Sequence, residues 1–207
     1  MYTIQNLLAE CVEIERGGRG AGEYAAAWGA YTTWAKRLVD RGHSVSMPGL
    51  GVVCFKKYRY GIRLPEFELV ESLSETYGLS CKYVRALGSL SQLKENLPVH
   101  RMDQETVARV AKRAGLEAHV LRACLATAFG RLVEICVEGR AVELEVGALG
   151  TLTCIDRPVF LWPSPILVIA ITPKSVQRSL RLHHELTSLL LPPPSLRSLL
   201  PVQKRDL

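Results

Sequence analysis

The 207-residue chain has six cysteines, Cys11, Cys54, Cys81, Cys124, Cys136 and Cys154, and no two of them stand as C-x-x-C or at any other close spacing. Structural zinc requires clustered thiolates or imidazoles, so this spacing argues against a metal site. The N-terminal stretch MYTIQNLLAECVEIE has no basic region ahead of an apolar one, which predicts that no secretory leader is present. The cysteines then read as small core side chains in a reducing compartment. No uninterrupted apolar run reaches the roughly 18 to 20 residues that a spanning helix needs. The nearest candidate, Pro158 to Thr172, is broken by Pro163 and Pro165, and Ile166 to Ile171 is rich in β-branched residues. That stretch is predicted to be a buried strand.

Catalytic constellations are missing as well. His43, His100, His119 and the pair His183-His184 accompany no nucleophile or carboxylate in a recognisable motif. The glycines from Gly17 to Gly22 lie between two helical patterns, so they form a turn and not a phosphate-binding loop. The expectation is a protein without enzymatic activity, cofactor or metal.

What is present is ordinary globular material, 48% hydrophobic and 22% charged, with a net charge of +6 and a pI near 9.1. That charge suits DNA, RNA, an anionic membrane or the acidic surface of tubulin, and by itself selects none of them.

The informative signal is a repeat. RGHSVSMPGLGVVCF, from Arg41, and EGRAVELEVGALGTLTC, from Glu138, both read as a glycine stop, a strand, Leu-Gly and a second strand. Upstream of the first, Ile4, Leu7, Leu8, Cys11 and Val12 recur at helical spacing. After a glycine-rich turn through Gly22, Tyr24, Ala27, Trp28, Tyr31, Trp34, Ala35 and Leu38 form a second stripe. Gly42 stands where a left-handed cap is expected. Upstream of the second, Asp103 is a candidate N-cap for a helix with Val107, Val110, Ala111 and Ala114 on one face. Gly115 ends that helix, and Leu121, Leu125, Ala128, Phe129, Leu132 and Ile135 carry a longer one. Strands are expected at Val142–Val146, Leu149–Ile155 and from Ile166, then a helix from Pro173. The fold class is α+β, with unit 1 at 1–77, a partly helical connector at 78–102, unit 2 at 103–190 and an extended Pro/Leu-rich tail at 191–207.

QETVARVAKRAGLEAHVLRACLATAFGRLVEICVEGRAVELEVGALGTLTC resembles the core of the bacterial histone-like HU and integration-host-factor family. The residues that carry the resemblance are Ala114-Gly115-Leu116 between the helices, Phe129, Gly139 and the strand turn Ala148-Leu149-Gly150. The first half repeats the pattern with Pro48-Gly49-Leu50-Gly51 at the turn and Pro65-Glu66-Phe67 where that family begins its last helix. The tandem arrangement is similar to eukaryotic HU-like pairs of the coiled-coil-domain-containing protein eighty-one type. That resemblance implies centrosomes, cilia or flagella as the cellular setting. HU chains pair as intertwined dimers, so two units in one chain are expected to form an intramolecular pseudo-dimer.

HU bends DNA with long basic β-arms between its second and third strands. Here VVCFKKYRYGIRL is too short for an arm, and TLTCIDRPVFLWPSPILVIAIT carries only Arg157 as a basic residue. The missing arms shift the expectation from nucleic acid to protein. Lys56, Lys57, Tyr58, Arg59, Tyr60 and Arg63 interleave charge with aromatics, and can face an acidic protein, solvent or nucleic acid, ranked in that order. In the tail, Pro192-Pro193-Pro194 cannot continue a helix. Leu196, Leu199 and Leu200 read either as part of a disordered terminus or as a strap that docks on another protein. The chain is therefore expected to be a structural adaptor held on microtubules or their associated proteins in the axoneme of a cilium or flagellum. The alternative is a nucleic-acid-binding HU homologue.

Overall fold

Why each long helix stops where it does is set by one glycine. Helix α1 (Ile4–Ile14) leads to α2 (Ala21–Val39), and α4 (Gln104–Ala114) to α5 (Ala118–Val137). At the end of α2, Gly42 takes φ 75°; its N–H donates to the Val39 carbonyl and the next N–H, of His43, reaches back to Leu38. The end of α5 repeats this with Gly139 at φ 72°, donating to Cys136 while Arg140 reaches Ile135. Both are Schellman closures, which need a left-handed residue that only glycine adopts without strain. The computed structural model describes residues 2–15, 18–57, 63–81 and 98–164.

Each helix pair feeds an antiparallel ladder. The first has β1 (Ser44–Met47), β2 (Gly51–Lys57) and β3 (Arg63–Leu69), followed by the short helix α3 (Glu71–Tyr77). The second has β6 (Val142–Glu145), β7 (Gly150–Cys154) and β8 (Pro158–Pro163), with a 3-10 turn at Gly147–Leu149. Two more two-residue strands, β4 (Ser80–Cys81) and β5 (Val99–His100), come from the stretch between the halves. The class is mixed α+β, with sheet orders β3-β2-β1-β5 and β4-β8-β7-β6.

These sheets are each completed by the other half. β5 runs parallel to β1, pairing Ser44 with Val99 and Val45 with His100. In the mirror-image arrangement, Tyr2 bridges Val142 of β6, its N–H donating to the Ala141 carbonyl and its carbonyl accepting from Glu143, both at 2.9 Å. β4 adds to the far side of β8. The segment preceding each helix pair thus pairs with the opposite sheet, as the strand β5 in one case and as the single bridge at Tyr2 in the other.

The core lies where α2 and α5 meet. Phe129 packs on Trp28 and Tyr31 with ring centroids 5.4 and 5.0 Å away, and Tyr31 donates its hydroxyl to the Ser46 carbonyl at 3.1 Å. Leu121, Leu125, Ala128, Leu132 and Ile135 are buried on α5, as are Tyr24, Ala27 and Ala35 on α2, so the helical stripes face one shared interior. No disulfide joins any of the six cysteines; Cys11, Cys124, Cys136 and Cys154 are buried. Asp103 caps α4 by accepting from the Thr106 N–H at 2.8 Å.

Two expectations need correction and two are narrowed. Pro65, Glu66 and Phe67 do not start a helix. They continue β3, paired with Phe55, Cys54 and Val53, and helix α3 begins only at Glu71. The cause is the buried Phe67 ring, which covers Gly51 so closely that a Cβ there would stand 2.6 Å from it and 2.3 Å from the Glu68 carbonyl oxygen. Second, the run from Pro158 to Thr172, expected as a buried strand, is strand over Pro158–Pro163. A three-residue turn with Asp156 at φ 62° connects it to β7, and Trp162 donates its indole N–H to Thr153 Oγ1 at 2.9 Å. Its prolines sit at the strand's two ends, where they do not interrupt it. The strand expected from Ile166, the helix from Pro173 and the tail lie outside the described residues. Third, the connector expected to be partly helical carries a short strand at each described end, β4 and β5, and its residues 82–97 lie outside the described residues. Fourth, Gly22 belongs to α2 and not to the turn before it, because Glu23 accepts from the Gly20 N–H at 2.9 Å and closes the helix start there.

Candidate functional site: a basic groove between α2 and α4

Helix α4 belongs to the second half but lies against α2 of the first, and between them runs an open groove of about 780 Å³. Its floor is low because Ala26, Gly29, Ala30 and Ala114 are small. A side chain grown at Gly29 would meet nothing within 4 Å, so the space above it is empty. Trp34 and Leu38, both half-buried, and the buried Val110 give the groove apolar walls.

Four exposed arginines line its margins, Arg37 from the last turn of α2, Arg41 from the turn just after that helix, and Arg109 and Arg113 from α4. Arg109 and Arg113 are four residues apart on α4, so both project to the same side about 6 Å apart along the axis. Among the described residues no carboxylate lies within ion-pair distance of any of the four. The carboxylate nearest in sequence, Asp40, pairs with Lys36 at 2.6 Å. Arg109 donates only to its neighbour Thr106 Oγ1, at 3.4 Å. An arginine cluster with no direct ion pair of its own is suited to an anion from outside, since guanidinium groups bind carboxylate or phosphate oxygens in a bidentate fork.

The other helix pair is built differently. Where α1 meets α5, Arg131 donates from Nε to Glu10 at 2.8 Å and from Nη1 to Glu134 and Glu138 at 2.9 and 3.2 Å. Arg140 reaches the second Glu10 oxygen at 3.3 Å and stacks over the Tyr2 ring, 4.6 Å from its centroid. Hydrogen bonds to Glu134 and Glu10 push the Arg131 guanidinium pKa up. Partial burial works against an ionised Glu10, but the hydrogen bonds it accepts and the positive charges of Arg131 and Arg140 together outweigh that burial and hold the carboxyl below the usual range. Glu15 pairs with Arg19 and accepts from Thr127 Oγ1 at 3.2 Å, closing the same seam farther along.

The groove arginines were not among the residues singled out from sequence. The i,i+4 spacing of Arg109 and Arg113 on α4, and the closeness of Arg37 and Arg41 in sequence at the end of α2, were visible. That the two helices are neighbours was not. Of the expected basic hairpin, Lys56, Lys57 and Arg63 fall at the open ends of β2 and β3, with Lys57 paired to Arg63. Tyr58, Arg59 and Tyr60 lie outside the described residues, as do Leu196, Leu199 and Leu200.

Among the described residues no three His, Cys, Asp or Glu side chains are grouped as metal ligands would be. Among them, too, no helix is long and apolar enough to cross a membrane. Compared with known proteins, the chain matches no protein-family model, and no curated protein is significantly similar to it.

Proposed function

We propose that this protein is a non-enzymatic adaptor of two HU-like units, joined as an intramolecular pseudo-dimer, that works in protein assembly within the axoneme of a cilium or flagellum. The observation that carries the reading is the reciprocal completion of the two halves: Tyr2 adds to β6, Val99–His100 adds to β1, and α2 and α5 bury one shared aromatic core. A helix pair that closes its apolar face inside its own chain leaves its outer faces to other molecules. The three-residue turn between β7 and β8 supports the same reading, because it leaves no room for a DNA-bending arm in that half. The axonemal setting rests on the resemblance of the tandem to eukaryotic HU-like pairs.

A second reading, a nucleic-acid-binding HU homologue, is favoured by one observation, the four arginines without carboxylate partners. Two measurements decide between them. A tagged full chain in flagellated cells is expected to remain with detergent-extracted cytoskeletons, and duplex DNA is expected to bind no tighter than about micromolar at physiological salt. Nuclear retention combined with tight, steeply salt-dependent DNA binding would replace the adaptor with the nucleic-acid reading.

A further inference from the structure

We infer that the groove between α2 and α4 is a docking site for an acidic amphipathic helix of another protein. The inference deepens the adaptor reading and rests on it. Three features define the occupant.

The first is charge. Arg37, Arg41, Arg109 and Arg113 surround the groove, and among the described residues no carboxylate stands at ion-pair distance from any of them. The Asp103 carboxylate, engaged in capping α4, senses the charge of Arg109 without pairing to it. The chain's own remaining segments cannot neutralise them well. Residues 165–207 hold six basic side chains against the two acidic ones, Glu185 and Asp206, and residues 82–97 hold three against Glu95. The counter-charge is therefore sought in a different molecule.

The second is spacing. Arg109 and Arg113, one helical turn apart on the α4 margin, match carboxylates at i and i+4 on a docked helix, which rise by the same about 6 Å. The third is the floor. Small residues let a helix backbone approach closely, and Trp34, Leu38 and Val110 offer apolar contact to its leucine or phenylalanine side chains. Nucleic acid meets the charge requirement only. Phosphates on a hydrated duplex leave the apolar walls uncovered, and the floor would contribute nothing.

The test uses the full chain and a fluorescent peptide of about four helical turns with leucines on one face and glutamates on both flanks. Anisotropy is expected to show saturable binding that weakens with salt, and none to the same peptide with lysine in place of glutamate. Arg109→Glu/Arg113→Glu is expected to weaken binding at least about tenfold, the loss typical of desolvated charge pairs. Gly29→Leu fills the floor without altering charge and is expected to cause a comparable loss. Both changes sit on exposed helix positions, and circular dichroism verifies folding. No binding of the acidic peptide, or binding indifferent to Gly29→Leu, overturns the inference. If the peptide fails while the protein still sediments with cytoskeletons, the groove is wrong and the adaptor reading stands. Preference for single-stranded or duplex DNA, lost in the arginine variant but not in Gly29→Leu, overturns both.

Discussion

The two helix pairs that flank the central crossing occupy equivalent places and have opposite chemistry. Counting back from the capping glycines Gly42 and Gly139, Trp34 corresponds to Arg131, Arg37 to Glu134 and Arg41 to Glu138. Counting forward from the N-caps Thr3 and Asp103, Ala9 and Glu13 stand where Arg109 and Arg113 do. At the α1–α5 seam the acids and arginines alternate, and the seam is fastened by its own ion pairs. At the α2–α4 groove the acids are replaced by arginines and the central arginine by tryptophan, so the surface is left open, apolar at its floor and uniformly positive. Even the positions beside the exchanged strands diverge in the same way: Tyr2 lies under Arg140 on one side, and its counterpart His100 meets His43 on the other, 4.7 Å between ring centroids. One backbone arrangement therefore serves as a fastener in one copy and as a receptive surface in the other, and the choice is made by side-chain charge alone.

The comparison is broken most directly at what the two seams share. Phe129→Ala removes the ring that joins Trp28 to Tyr31 and is expected to lower stability by about 3–5 kcal/mol. Because α2 and α5 build one interior, urea unfolding followed by tryptophan fluorescence and by hydrogen exchange should still give one transition covering both halves. Two transitions, with one half undisturbed, would mean that the halves are independent domains.

An intermediate effect is expected at the fastened seam. Arg131 is the hub for Glu10, Glu134 and Glu138, and Arg131→Ala should lower stability by about 1–2 kcal/mol at neutral pH, in the range for hydrogen bonds to charged groups. The same seam should loosen in acid. Glu10 has a folded pKa below its unfolded value of about 4.3, so its contribution is present above that value and is lost as pH falls through the folded one. The stability difference between the natural protein and Glu10→Gln should consequently shrink as pH drops below about 4. A difference that is constant with pH would remove the ion-pair account of this seam.

The smallest effect has the opposite sign. Arg37→Glu gives the groove the acid that Glu134 supplies at the other seam. Thermal unfolding is expected to show a gain of about 0.5 kcal/mol, as for a relieved surface repulsion, alongside weaker binding of the acidic peptide. A loss of the size seen for Arg131→Ala would make the groove arginines structural.

Much of this architecture could be read from sequence. The stripes on α2, α4 and α5, the Asp103 cap and the stops at Gly42, Gly115 and Gly139 depend on local periodicity and on backbone angles that glycine alone tolerates, and both are local properties. The run from Pro158 to Thr172 was legible as strand, but the end of the strand at Pro163 was not, because prolines at strand ends look the same in sequence as prolines that break a strand. Pro65–Phe67 was misplaced because the fit of the Phe67 ring over Gly51, sixteen positions earlier in the chain, outweighed the local pattern.

The sequence by itself determined the α+β class, the twofold repeat, the net positive charge and the apolar faces, since each follows from composition or from spacing within a few residues. Only the tertiary structure decided that the segment before each helix pair joins the opposite sheet, and that Arg37 and Arg41 share a groove with Arg109 and Arg113. The residues involved are some seventy positions apart. What brings them together is the burial of one aromatic core at the crossing of α2 and α5, and no local pattern encodes which helix will lie beside which.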